Sequence, residues 1–432
     1  MNVFEKYESE VRSYCRSWPA VFDRARGSHL YDESGRAYLD FFAGAGALNY
    51  GHNHPDLKRA LLGYLESDRI THGLDMYTVA KREFLERFQD TVLGPRNLDY
   101  KVQFPGPTGT NGVEAALKLV RKLTGRQTII SFTNAFHGMT LGSLSVTGSS
   151  MKRGGAGVPL SHTVPMPFDS YLDGQTPDFL LLKRLLGDSG SGLDAPAGVV
   201  VETVQGEGGV NVATPGWLQG LAGLCKEEKI PLIVDDVQMG CGRTGPFFSF
   251  EIAGIKPDVV VLSKSISGYG LPMALTLFRP ELDIWGPGEH NGTFRGNNPA
   301  FVTATAALDS FWGPGSTMEK ETIAKGEQVE SELQAIVAEH GDAGVSYRGR
   351  GLIWGLAFED PELADAVCGA AFDRGMLLET SGPESEVVKL IPPLTVSTAE
   401  IDKGMEILSE SVSQVCGQRG PARRGADRKE QA

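Results

Sequence analysis

Four apolar residues, Val259–Leu262, run into Ser263 and then Lys264. An ammonium group at the end of a strand buried on both faces is costly unless something uses it. A second apolar run, PLIVDDV (231–237), ends in two carboxylates, Asp235 and Asp236. A third segment, PGPTGTNGVEAALK (105–118), is a Gly/Thr-rich turn that opens a helix. Hydroxyls and free backbone N–H groups at Thr108, Gly109 and Thr110 suit an anion, and the helix dipole adds up to ~2 kcal/mol in a favourable site. The same residues would also serve as a plain helix cap, and they are no P-loop, since no GK[ST] follows.

These three segments need a scaffold that brings them to one place. Apolar strand runs alternate with helical stretches from about Thr71 to Leu308. The candidate strands are KVQFPG (101–106), QTIISFTN (127–134), AGVVVETV (197–204), IPLIVDDV (230–237), PDVVVLSK (257–264) and MALTLF (273–278). Helical patterns lie between them, as in NGVEAALKLVRKLTG (111–125), with Val113, Leu117 and Val120 on one face and Gly125 as its C-cap. The alternation predicts an α/β fold with a mostly parallel sheet, whose ligands sit beyond the strands' carboxyl ends. HLYDESGRAYLDFFAG (29–44) reads as hairpin material, and residues after about Thr317 read as a smaller α+β unit. The expected division is a segment 1–70 packing with the small domain, a large domain 71–316, a small domain 317–415 and a disordered tail 416–432.

A lysine, an acid and an anion-binding turn on one sheet edge are the equipment of pyridoxal phosphate chemistry. The lysine forms a Schiff base with the aldehyde, and the acid pairs with the protonated pyridine nitrogen. A close carboxylate raises that nitrogen's pKa by ~1–3 units, which keeps the ring a good electron sink. Taken singly, Asp235 reads as a strand-end cap. GCGRTG (240–245) matches GxGxxG after a strand, but two carboxylates precede it, a weak helix opening follows, and the next strand brings a lysine where a ribose-binding acid belongs. His52 and His54 in GHNHP find no further metal ligands and read as a turn.

The chain resembles the class III (ω-type) aminotransferases over nearly its whole length. LIVDDVQMGCGRTG with Lys264 beyond it, AFHGMT (135–140), VETVQGEGGV (201–210), NGTFRGNNPA (291–300), YRGRGLIWG (347–355) and KLIPPLT (389–395) follow one another in the family's order. The resemblance implies fold type I of the pyridoxal-phosphate-dependent transferases and a role at each matching position. Lys264 would take the cofactor's aldehyde, Asp235 its pyridine nitrogen and Gln238 its phenolic oxygen. Phe136 would stack on the ring, and His137 reads as a supporting histidine rather than a base. Gly109 and Thr110 would donate to the phosphate, with Thr293 doing so from a second subunit, so a homodimer is implied. Glu202 and Glu207 would line the site, Glu207 near the substrate. Three departures stand out. Asp235-Asp236 replaces the usual Asp-Glu, NGTFRGNNP is one residue longer, and Lys389 stands where members acting on glutamate often have an arginine. Glu207 and Lys389 are then expected to pair in one half-reaction and separate in the other.

Within the family, SYCRSWPAVFDRARG, AGAGALNYGHNHP, LSKSISGYGLP and LETSGPESEVVKL are similar to members that move the amino group of L-glutamate onto L-aspartate 4-semialdehyde. The product would be L-2,4-diaminobutyrate, in the first step of ectoine synthesis. Rival readings keep the cofactor: an ornithine, 4-aminobutyrate or other ω-amino acid transaminase, a diaminobutyrate maker serving siderophore or antibiotic synthesis, or a racemase or aminomutase of the same fold. A non-catalytic scaffold is the remaining alternative.

The totals agree with a globular enzyme of small molecules. The 432 residues are 41% hydrophobic and 22% charged, with net charge −13, which argues against nucleic-acid or anionic-membrane binding. Five scattered cysteines without a CxxC pair suit reduced thiols in the cytoplasm. The opening MNVFEKYESEVRSYC has no apolar core and reads as no signal peptide.

Overall fold

The computed structural model describes residues 3–172, 174–175 and 178–418. Near its start, β1 (Phe22–Arg26), β2 (His29–Asp32) and β3 (Ala37–Asp40) form an antiparallel meander. The hairpin between β2 and β3 closes on Asp32, whose Oδ1 accepts from the backbone of Ser34 and Arg36.

The large sheet has seven strands: β4 (Lys101–Gln103), β5 (Ile129–Phe132), β6 (Thr163–Met166), β7 (Gly198–Val201) and, after a small hairpin of β8 (Val204–Gln205) and β9 (Asn211–Val212), β10 (Leu232–Asp235), β11 (Val259–Leu262) and β12 (Leu275–Phe278). Their order is β4-β12-β11-β10-β7-β5-β6. Only β12 runs antiparallel to its neighbours. Every residue of β5, β7, β10, β11 and β12 is buried, which is why these strands read as unbroken apolar runs rather than alternating ones. All six strands expected from the sequence are present. β6 was not expected, because TVPM carries Pro165; at the sheet's edge that missing N–H costs nothing.

The helix Gly109–Thr124 begins two residues earlier than its apolar period suggests. Asn111 Oδ1 accepts from the backbone N–H and hydroxyl of Thr108, and the left-handed Gly125 ends the helix. Val113, Leu117 and Val120 are buried against the sheet, each such side chain contributing about 1.5–3 kcal/mol.

After the helix Met318–His340 come β13 (Val345–Arg350), β14 (Ile353–Phe358), β15 (Met376–Leu377), β16 (Glu379–Ser381) and β17 (Val387–Leu390). Four of these make an antiparallel sheet in the order β13-β14-β17-β16. In it, Lys389 lies opposite Gly355 on one side and Glu379 on the other. β15 leaves this sheet and pairs in parallel with β3, tying the N-terminal meander to the C-terminal part of the chain. The last helix, Thr398–Gln418, runs past 415, and the tail expected beyond it lies outside the described residues.

Candidate active site

A cavity of about 400 Å³ opens beyond the carboxyl ends of β5, β7, β10 and β11. Each strand delivers chemistry as its chain leaves the sheet: Phe136 and His137 after β5, Glu202 after β7, Asp235 and Gln238 at the end of β10, and Lys264 after β11. Thr108, Gly109 and Thr110 close one side and Glu207 another. Of the residues expected to serve the cofactor or substrate, Thr293 and Lys389 stand off the wall.

Lys264 has a left-handed backbone, with φ +51°, at the start of a single 3₁₀ turn. That conformation costs a non-glycine residue ~1–3 kcal/mol and is held by the buried strand before it. The Nζ donates to the carbonyl of Ala45 at 2.7 Å, and Gln238 Nε2 donates to the same oxygen at 3.0 Å. Burial pushes the amine's pKa down, with Glu207 pulling the other way.

Asp235 Oδ2 meets His137 Nδ1 at 2.7 Å, while Oδ1 accepts from the backbone of Val237 at 3.1 Å. Burial would lower the His137 pKa, but Asp235 outweighs it and the net direction is up. The bond fixes the orientation of both side chains at the end of β10. Asp236, wholly buried, accepts from Ser249 and fixes the next loop. Burial lifts its pKa to about 7, and it does not line the cavity.

At the turn before helix Gly109–Thr124, two glycines keep space clear. A Cβ on Gly109 would come within 2.9 Å of Val237, and one on Gly138, at φ +128°, within 2.3 Å of Thr110 Oγ1. Thr293 is exposed on the turn Thr293–Arg295, outside the cavity of its own chain.

The remaining wall is acidic with one buried cation behind it. Glu202 Oε1 accepts from the backbone N–H of Phe136 at 2.9 Å, and burial raises its pKa to about 8. The outer company of Phe136 is Lys152, whose Nζ lies 4.3 Å from the ring centre. Lys389 is completely buried, 2.7 Å from Glu207 Oε1 and 2.8 Å from Glu379 Oε1. Burial would lower its pKa, but the two carboxylates drive it above the ordinary lysine value. Burial likewise would raise Glu207, yet Lys389 and Lys264 hold it well below the usual carboxylate range. Gln238 Nε2 also donates to Glu207, at 3.1 Å. Sequence reasoning missed Glu379. It sits in the same LETSGPESEVVKL stretch, but only the β16–β17 register puts it opposite Lys389.

A strand-end acid, a shielded amine and a glycine-cleared turn at a helix start fit a planar phosphorylated aldehyde of pyridoxal phosphate's size. His52 Nε2 instead meets Asp40 Oδ2 at 2.7 Å, and no group of three His, Cys, Asp or Glu side chains suited to a metal exists among the described residues. Nor is any helix among them long and apolar enough to cross a membrane.

Comparison with known proteins gives the same direction. Residues 13–412 match the family model described as aminotransferase class-III. The chain is 66% identical over 414 residues to the diaminobutyrate–2-oxoglutarate transaminase of Streptomyces avermitilis, covering 96% of this chain and 98% of that protein. Against the enzyme of the same name from Streptomyces anulatus the identity is 67% over 414 residues, with the same coverage. Among solved structures, the ornithine aminotransferase of Toxoplasma gondii superposes with a TM-score of 0.82 at 25% identity, covering 96% of this chain and 94% of that one.

Proposed function

This chain belongs to the class-III aminotransferases, and on that premise we propose that it moves the amino group of L-glutamate to L-aspartate 4-semialdehyde, releasing 2-oxoglutarate and L-2,4-diaminobutyrate. The fold is type I of the pyridoxal-phosphate-dependent transferases, and pyridoxal 5′-phosphate is the cofactor. When bound, it supplies a carbonyl to carry the amino group and a ring to take up electrons from the substrate's carbon.

The protein's part is to hold and to move protons. Lys264 would hold the aldehyde and, as a free amine, would be the base that moves a proton from the substrate's carbon; burial favours its neutral form. Asp235, braced by His137, would keep the ring nitrogen's proton in place. Gln238 would reach the phenolic oxygen, Phe136 would cover the ring, and Gly109 and Thr110 would bind the phosphate. Thr293 completes that phosphate site in a second copy of the chain, making the homodimer the working unit. Glu207 is the movable acid. Paired with Lys389 it leaves room for the semialdehyde, and swung aside it lets the carboxylate of glutamate meet Lys389. Glu379 keeps Lys389 from being left as an unpaired buried charge during the exchange.

The observation that carries the chemistry is Lys264 and Asp235 facing one cavity; the substrate pair rests on the relatives' identity over almost the whole chain. We place the reaction at the start of ectoine synthesis, in the cytoplasm, with the division at residues 70, 316 and 415 as the domain plan. Single-turnover spectra test the substrates. Glutamate should convert the enzyme fully, and L-aspartate 4-semialdehyde should return it faster than the semialdehydes related to 4-aminobutyrate or ornithine. Equal or faster return with either of those would replace the substrate assignment.

A further inference from the structure

The turn GCGRTG (240–245) is not a nucleotide loop, and its arginine is the largest wholly buried side chain described. Arg243 faces neutral acceptors. Its guanidinium donates to the carbonyl of Leu352 at 2.8 Å, to the carbonyl of Pro392 and to Asn49 Oδ1 at 2.7 Å, while Nε has no partner among the described residues. Asp40 is the carboxylate it senses, and that group is bonded to His52. Burial lowers the Arg243 pKa to about 9, so the charge persists at neutral pH. A cation placed among carbonyls is a costly way to fill space, and a leucine or methionine would do so at lower cost.

Its partners show what the arrangement achieves. Asn49 donates through its backbone N–H to Ser265 Oγ at 3.1 Å, and Ser265 Oγ donates to the carbonyl of Gly46 at 2.8 Å. Ser265 follows Lys264, and Gly46 follows Ala45, whose carbonyl holds the Lys264 amine. Asn49 Nδ2 also donates to the carbonyl of Cys241 at 3.0 Å, and the Asn49 carbonyl accepts from Leu394 at 2.7 Å. On the other arm, Pro392 lies just beyond β17, which carries Lys389, and Leu352 forms the turn between β13 and β14, its own N–H bonded back to the Arg243 carbonyl at 3.0 Å. One guanidinium therefore ties the Lys264 turn to the strand bearing Lys389, from within the loop that begins at Asp235.

We propose that Arg243 is a positioning residue that fixes the distance between the two active-site lysines, and so places the Glu207–Lys389 pair relative to the reacting amine. This rests on Lys264 being the cofactor's lysine. A planar fork can hold three acceptors in fixed directions, whereas a lysine keeps the charge without the geometry. A displacement of about 1 Å at such a site can cost ~10²-fold in rate.

The test uses holoenzyme with Arg243→Lys and, separately, Asn49→Ala, the latter leaving the Leu352 and Pro392 bonds intact. Three readouts are taken: the pH midpoint of the visible absorbance, single-turnover rates with glutamate and with L-aspartate 4-semialdehyde, and the melting temperature. Arg243→Lys should move the midpoint by about half a unit or more and slow both half-reactions roughly ten- to hundredfold. Asn49→Ala should do the same to a smaller degree, about three- to tenfold, and should add little in the double variant. Lower melting temperatures with midpoint and rates within about twofold of wild type would reduce Arg243 to a stability residue and overturn the proposal. If Arg243→Lys does not fold, Asn49→Ala decides on the same criteria. Visible absorbance that survives Lys264→Ala would instead overturn the reading of Lys264, a separate failure.

Discussion

Two lysines sit within reach of the same acid, and the chain treats them in opposite ways. Lys264 rides a strained left-handed turn, its amine against a neutral carbonyl, with burial pressing it towards the uncharged form. Lys389 lies in a regular strand between two carboxylates that keep it charged. Burial penalises both ammonium groups, so the partner decides the outcome. On the function proposed above, the first amine is the one that reacts and the second is a fixed positive post on which acids exchange.

Removing the reactive member should have the largest effect. Lys264→Ala should abolish the visible absorbance of the cofactor complex and lower turnover by ~10⁴-fold or more, in a steady-state assay with glutamate. Retained absorbance would move the chemistry to another residue. Next comes the acid that serves it. Asp235→Asn should still bind the cofactor yet slow the glutamate half-reaction by roughly 10²-fold, the loss of a close opposite charge at the ring nitrogen. An unchanged single-turnover rate would remove Asp235 from the electron sink.

The fixed post should show itself in affinity and stability rather than in the spectrum. Lys389→Ala leaves Glu207 and Glu379 facing one another without a cation, so about 3–5 kcal/mol of stability should go, read by denaturant titration. The glutamate KM should rise by about tenfold or more. If neither glutamate nor semialdehyde affinity falls, Lys389 takes no part in substrate exchange. Adding Glu379→Gln to Lys389→Ala should recover part of the stability, since one buried charge is gone.

The smallest effect concerns Glu202, which shares the cavity but has no cationic side chain bonded to it among the described residues. Its pKa is raised by burial to about 8, against an ordinary 4.5. The folded chain therefore holds a proton that the unfolded chain has released between those values. The stability this confers is complete below about pH 4.5 and is lost as pH rises through about 8. Melting of cofactor-stripped protein across that window should fall more steeply for wild type than for Glu202→Gln. Parallel curves would show that Glu202 is already ionised.

The same contrast explains what the sequence disclosed. Lys264, Asp235 and the Thr108 turn were legible because each follows from local signals: an apolar run with a charge at its end, or a helix start with hydroxyls. Parallel α/β topology then gathers strand ends without further information. The surroundings of Lys389 depend on hairpin register across residues 382–386, which apolar patterning does not fix where both faces of a strand are buried. Arg243 stood in a glycine motif and a family block, but neither disclosed its role, since its partners come from positions 49, 352 and 392, brought together by tertiary packing alone. His137 stood in a recognisable block, but its bond to Asp235 crosses from β5 to β10 past β7.

The pairing of β3 with β15 bears on the order in which this protein can mature. On the side of β3 away from β2, Leu39 and Asp40 pair with Met376 and Leu377, almost the full length of synthesis later. Until then the early meander presents an unsatisfied edge, a template for mispairing with neighbouring nascent chains. Closure of that edge is thus a late, long-range event, and a chain halted before Met376 should be prone to aggregate even though its large sheet is already complete.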